Sequence, residues 1–158
     1  MIRGLHHVAI STPSIDGLLP FYRDLIGLKE VMHFEWQRGT PEIDELIGLR
    51  DSAARQVMLR GDNFCVELFE YTDPSPAPMA PDRPVCNHGH THICFDVVDI
   101  YAVYERLLAA GVTFMAAPKD FGDIRSAYGR DPDGNVFEIQ ELMDPEDASQ
   151  LFPFDQGR

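Results

Sequence analysis

The sequence predicts an α+β fold of two tandem βαβββ modules, whose curved mixed sheets flank a cleft. Three observations predict it. An alternating run that opens on a histidine, His7-Val8-Ala9-Ile10-Ser11-Thr12, returns 85 residues later as His92-Ile93-Cys94-Phe95-Asp96-Val97. Each run leads into an amphipathic segment that stops at a glycine, Gly27 in one copy and Gly111 in the other. Each copy closes with a hairpin whose last strand holds one glutamate at an alternating position, Glu67 and Glu138. The order strand, helix, three strands therefore occurs twice, and the repeat delivers His, Glu, His, Glu.

In the first copy, residues 5–11 read as a strand. Ser14 is the expected N-cap of a helix. Ile15, Leu18, Leu19, Tyr22, Leu25 and Ile26 follow at helical spacing, and Gly27 stops it. Pro20 removes a backbone donor inside this helix and should bend it or loosen its first turn. Residues 29–34 are strand-like. Residues 41–48 suggest a short helix with Pro41 in its first turn. This helix has no counterpart in the second copy. His7 lies 60 residues before Glu67, but His92 only 46 before Glu138. Residues 35–50 are thus an insertion, placed where they could cover a substrate. Residues 53–60 and 64–71 form a hairpin about Gly61-Asp62-Asn63.

Five prolines between 74 and 84 mark residues 72–87 as a semi-extended linker. The second copy reads as a strand over 91–97, a helix capped by Asp99 and stopped by Gly111, and strands over 112–116, 123–130 and 136–142. Asp131-Pro132-Asp133-Gly134 has the residues of a type I turn. The expected organisation is a single domain over 1–158. Module one spans 1–71, the linker 72–87, module two 88–143 and an acidic tail 144–158.

Composition narrows the function. With 26 acidic and 13 basic residues the net charge is −13, which argues against nucleic acid and anionic membrane surfaces as partners. No apolar run is long enough to span a bilayer. The strand pattern starts within five residues of Met1, so no signal peptide is expected. Cys65, Cys86 and Cys94 are odd in number and lack CxxC spacing, which reads as reduced thiols in a cytoplasmic protein. A homodimer is expected, because four-stranded sheets leave edges to cover.

The chemistry lies in strand alternation. Glu67 shares a face with Cys65 and Phe69, Glu138 lies opposite Phe137 and Ile139, and His92 shares a face with Cys94. All four polar groups are therefore expected to point away from the helices, into the cleft. A carboxylate in an apolar groove is costly unless it is paired, protonated or metal-bound. One histidine on a strand is ordinarily structural, and one strand glutamate is ordinarily solvated; recurrence of both at matching places points to ligands. Two imidazoles and two carboxylates, His7, Glu67, His92 and Glu138, suit a divalent ion such as Ni²⁺, Co²⁺, Zn²⁺ or Fe²⁺, with Mg²⁺ or Mn²⁺ as further choices. His6, His88 and His90 read as solvent-facing. Arg55, Arg60, Arg125 and Arg130 could meet a substrate anion, although ion pairing is the ordinary role of such residues. Phe34, Trp36, Met58, Phe69, Phe114, Phe121 and Tyr128 supply apolar walls.

The chain resembles the vicinal oxygen chelate superfamily, the glyoxalase/bleomycin-resistance fold. The matching stretches are 5–10, 21–28, 66–68, 89–93 and 131–138, the last being Asp131-Pro132-Asp133-Gly134-Asn135-Val136-Phe137-Glu138. The resemblance implies metal ligands at His7, Glu67, His92 and Glu138. It is nearest in pattern to lactoylglutathione lyases and methylmalonyl-CoA epimerases. The arginine with which the lyases grip glutathione corresponds to Ser11 here, which speaks against that substrate. The 35–50 insertion differs from the short loop of the epimerases. The expected function is metal-dependent isomerase, epimerase or lyase chemistry on a small oxygen-chelating substrate, a thioester or hemithioacetal among the candidates, with Glu138 or Glu67 moving the proton. Two alternatives stand beside it: an extradiol-type dioxygenase using His7, His92 and Glu138 on Fe²⁺, and a metal-free sequestering protein of the bleomycin-resistance type.

Overall fold

The computed structural model describes residues 1–151. It divides into two compact units, Met1–Ala80 and a second that begins at Pro81. In the first, β1 (His7–Ser11) leads into α1 (Ile15–Pro20). The Ser14 hydroxyl caps this helix by accepting from the Gly17 N–H at 3.1 Å. Pro20 has no N–H for the preceding turn, and the chain widens there into one π-helical turn, Phe21–Leu25. Gly27, at φ +91°, then turns the backbone into β2 (Lys29–Trp36). The insertion carries α2 (Pro41–Ile47), which buries no residue. β3 (Ala53–Arg60) and β4 (Cys65–Asp73) complete the sheet, in the order β1-β4-β3-β2. β1 runs parallel to β4, and the other pairs are antiparallel.

The core of this unit lies under α1. Ile15, Leu18, Phe21 and Tyr22 meet Val57, Leu59, Val66 and Leu68, all nearly inaccessible to solvent. Each contributes roughly 1.5–3 kcal/mol of burial. Because β4 alternates, packing Val66 and Leu68 on the helix side sends Cys65, Glu67, Phe69 and Tyr71 to the other face.

The second unit repeats the plan. β5 (Ile93–Asp96) is shorter than the expected 91–97: its ladder begins at Ile93 opposite Phe137, so His92 stands just before the strand. α3 (Ile100–Ala109) is capped by Asp99, which accepts from the Ala102 N–H at 3.2 Å. The strand expected over 112–116 is reduced to β6 (Thr113–Phe114), and β7 (Lys119–Asp120) appears beyond Pro118. A proline cannot donate to the ladder, so this edge is broken in two. β8 (Ile124–Arg130) and β9 (Val136–Leu142) close the unit in the order β5-β9-β8-β6, with β7 also on β8. Ile100 and Leu107 of α3 pack with Ala127, Phe137 and Ile139. Gly129 is required here: a Cβ at this position would lie 2.5 Å from the ring of Phe137.

Each unit anchors its helix in the same way. Glu70 accepts from the Ile15 N–H at 2.6 Å and from Arg55 at 2.8 Å. Glu141 accepts from the Asp99 N–H at 2.7 Å and from Arg125 at 3.4 Å. Both carboxylates sit at helix N-termini, where backbone donors and the helix dipole favour negative charge. Residues 152–158 of the expected tail lie outside the described residues. Among the described residues no helix is long and apolar enough to cross a membrane.

Candidate metal centre

In the first unit the parallel β1–β4 pairing sets Ala9 opposite Glu67 and His7 opposite Cys65. The Nε2 atom of His7 then lies 3.4 Å from an oxygen of Glu67. The other Glu67 oxygen accepts from the Gln56 amide. His7 meets the Nδ1 of His6 through its own Nδ1, at 2.9 Å. Glu67 is buried, with 7% of its surface exposed.

The second unit repeats this arrangement. The Nε2 atom of His92 lies 3.0 Å from an oxygen of Glu138, and the other Glu138 oxygen accepts from the Ser126 hydroxyl. The Nδ1 of His92 meets the Thr91 hydroxyl at 2.8 Å. Glu138 is buried, with 8% exposed. It has more neighbours than Glu67. The Cys94 thiol and the Tyr128 hydroxyl both hydrogen-bond toward it. The Cys94 thiol is pushed up to about 12, by desolvation first and then by the Glu138 charge. Cys94 as a residue keeps solvent-accessible surface, yet its sulfur lies deep enough among neighbouring atoms to be desolvated. Tyr128 is likewise pushed up to about 12, by burial and then by Glu138, and its ring packs edge-on to His92 at 5.0 Å. Both groups hold their protons at neutral pH.

Each pair thus has one imidazole nitrogen and one carboxylate oxygen turned toward each other, with the far atom of each side chain engaged elsewhere. That is the outer support metal-binding imidazoles and carboxylates use, and the N,O donor set suits a borderline divalent ion. Within its own unit, each pair offers two donors of a kind that fits such an ion. Among the described residues no group of three or more His, Cys, Asp or Glu side chains stands close enough to hold a metal ion.

The remaining candidates fall elsewhere. Arg55 pairs with Asp16 and Glu70, and Arg125 with Asp120 and Glu141, so both serve the helix anchors. Arg130 donates to the carbonyls of Gly134 and Arg83. His6, His88 and His90 are exposed. Phe114 packs on Tyr104 and Phe137, in the helix-side core rather than on a wall. Residue types alone did not single out Gln56 or Ser126. Hairpin arithmetic finds them: the registers Met58↔Glu67 and Tyr128↔Glu138 put each two residues away, diagonal to its glutamate.

The model of the Glyoxalase/Bleomycin resistance protein/Dioxygenase superfamily matches residues 4–139. The chain belongs to this superfamily. A 2-epi-5-epi-valiolone epimerase from an Actinomyces species is 29% identical over 127 residues, which is 75% of this chain and 66% of that protein. A glyoxalase family protein from Bacillus cereus superposes with a TM-score of 0.82 at 20% identity, covering 91% of this chain and 97% of its own. The fosfomycin resistance protein FosX from Listeria monocytogenes, complexed with Mn(II) and sulfate, gives 0.59 at 17% identity, covering 89% and 93%. These structures share the superfamily fold with this chain, a mixed α+β architecture of two βαβββ modules.

Proposed function

We propose that this chain is a divalent-metal-dependent epimerase or isomerase that moves a proton on a carbon next to a carbonyl, with His7, Glu67, His92 and Glu138 as metal ligands. One observation carries the reading: each unit turns a His Nε2 and a Glu oxygen toward each other, at 3.4 and 3.0 Å, and ties down the far side of both. The epimerase relative supports the reaction class, and the manganese in FosX supports the kind of ion. An ion held there would supply Lewis-acid chemistry, making a C–H beside a substrate carbonyl more acidic.

The chain's own residues do the rest. Inverting a carbon needs a proton taken from one face and returned to the other, and Glu67 and Glu138 supply an acceptor and a donor. Their surroundings divide the roles. Glu67 has the Gln56 amide on one oxygen and His7 Nε2 at 3.4 Å from the other, and we assign it the acceptor role. Glu138 is ringed by Ser126, Tyr128 and Cys94, which carry protons of their own. Gln56 and Ser126 fix the two carboxylates in orientation. His7 and His92 would hold the ion through Nε2, the atom each turns toward its glutamate.

The test is metal analysis of protein purified without added metal, followed by incubation with 2-epi-5-epi-valiolone in deuterated water. Bound divalent ion and metal-dependent exchange of one carbon-bound proton are expected. Absence of any divalent ion, with none taken up on addition, would refute the proposal.

A further inference from the structure

The helix-free face of the first unit carries more than the His7–Glu67 pair. The strand registers lay it out in rows. Ala9, Glu67 and Met58 form one row; Phe69, Gln56 and Phe34 form the next; Tyr71, Ala54 and Trp36 form the one after. The two rows beyond Glu67 therefore hold four aromatic rings. Phe34 stacks on Trp36 at 6.0 Å with 29° between planes, and Phe69 stacks on Tyr71 at 5.7 Å with 22°. The two stacks meet nearly at right angles: Trp36 is tilted 75° to Phe69 and 83° to Tyr71. The result is a corner of two flat apolar walls. Its rim is open, since Phe34 keeps 47% of its surface exposed while Trp36 keeps 5%. Its inner edge is polar. Gln56 lies between Phe34 and Phe69 and donates to Glu67, and the Glu67 charge helps push the Tyr71 hydroxyl above the ordinary tyrosine range, after burial.

The corner is held from outside. The Trp36 indole N–H donates to the Ser52 hydroxyl at 2.9 Å. That hydroxyl and the Ser52 N–H both reach Asp44 of α2, which also accepts from the Asp51 N–H. The helix of the insertion, which has no counterpart in the second unit and buries no residue, is thus tied through Ser52 to the one tryptophan of the chain, and Arg38 of the insertion pairs with Asp73 of β4.

We propose that Phe34, Trp36, Phe69 and Tyr71 form a subsite for a ring-shaped hydroxyketone, and that Asp44 and Ser52 are positioning residues for it. The proposal deepens the function above and rests on it. A saturated ring lays the C–H groups of one face on one stack and its edge against the other, with its polar substituents toward Gln56, Tyr71 and Glu67. An open chain must give up rotational freedom to touch two perpendicular walls at once, so the corner favours rings over linear substrates.

The experiment uses the full chain, with Trp36 as the reporter. Tryptophan emission is followed on titration with 2-hydroxycyclohexanone and with the open-chain 3-hydroxy-2-hexanone. Co²⁺ binding is measured in parallel by calorimetry. The ring compound should change the emission saturably and bind about tenfold more tightly than the open chain. Phe34→Ala should erase that preference while Co²⁺ affinity stays within twofold of the parent. Phe34→Leu keeps apolar volume without a flat face and should erase it too, which covers the case of a poorly folding alanine variant. Ser52→Ala should weaken ring binding and shift the emission maximum of the free protein. Equal affinity for ring and open chain, or a preference that survives both Phe34 variants, would overturn the subsite and leave the metal reading standing. Ring-selective quenching with no Co²⁺ uptake would support the subsite and refute the metal reading.

Discussion

In the first module Glu70 ties the start of a helix to Arg55; in the second Glu141 does the same with Arg125. The two glutamates stand three residues after Glu67 and Glu138, and the two arginines occupy the matching positions opposite them. The helix-free faces of the same strands differ. Gln56, Met58 and Ala9 surround Glu67, whereas Ser126, Tyr128 and Cys94 occupy the corresponding places around Glu138. Beyond Glu67 lie Phe69 and Tyr71; beyond Glu138 lie Gln140 and Leu142. The repeated fold therefore keeps one His–Glu pair and one helix anchor per module. It varies the residues beside the pair, giving one module an apolar corner and the other a set of proton-bearing donors.

The comparison breaks first if the two glutamates are not equivalent as ligands. Glu67→Ala and Glu138→Ala should each lower Co²⁺ affinity by at least the ~10–100-fold typical of lost supporting contacts. Calorimetric titration of both variants checks this. Parent-like affinity in Glu67→Ala would favour a three-ligand site of His7, His92 and Glu138, the arrangement expected of a dioxygenase.

A smaller effect sharpens the helix-face half of the comparison. Glu70→Ala and Glu141→Ala each remove an acceptor from helix-entry N–H groups, at a cost of about 1 kcal/mol apiece, as for a lost N-cap. Urea melts should give the two variants nearly the same destabilisation, with Co²⁺ affinity intact. A large inequality would mean that only one of the anchors is structural.

The smallest effect belongs to the insertion. The Ser52 hydroxyl, then the Ser52 and Asp51 N–H groups, hold the Asp44 carboxyl below the usual aspartate range. A carboxylate whose pKa falls on folding contributes stability above its unfolded value, near pH 4, and loses it as pH drops through the depressed one. Acidification below about pH 4 should therefore shift Trp36 emission before the protein unfolds. Asp44→Asn should lack that step. An identical acid titration in the two proteins would disconnect Asp44 from Trp36.

Much of this was legible in the chain. A lone glutamate at an alternating strand position, met twice at matching places, could be read without coordinates, and so could Ser14 and Asp99 as caps. Other features needed three dimensions. Ion pairing was the ordinary reading of Arg55 and Arg125, but their partners, Asp16 with Glu70 and Asp120 with Glu141, could not be named from residue type. Gln56 and Ser126 required the hairpin register. The expected 112–116 strand shortened to two residues, and the separate β7 beyond Pro118 was not foreseen; the proline's missing donor falls on an edge where a ladder is weakest. The aromatic corner was visible only as a list of apolar residues, and that list wrongly included Phe114, which the core takes.

The parallel pairing of β1 with β4 also has a consequence in time. Strands β3 and β4 are neighbours in the chain and can join through a tight turn within microseconds. His7 and Glu67 meet only when β1 returns to β4 across about sixty residues, a closure whose entropy cost precedes its reward. In the second module His92 reaches Glu138 by the same long-range parallel step. The donor pairs are thus among the last contacts a newly made chain can complete. If the proposed function holds, protein sampled early in refolding should carry secondary structure before it carries metal.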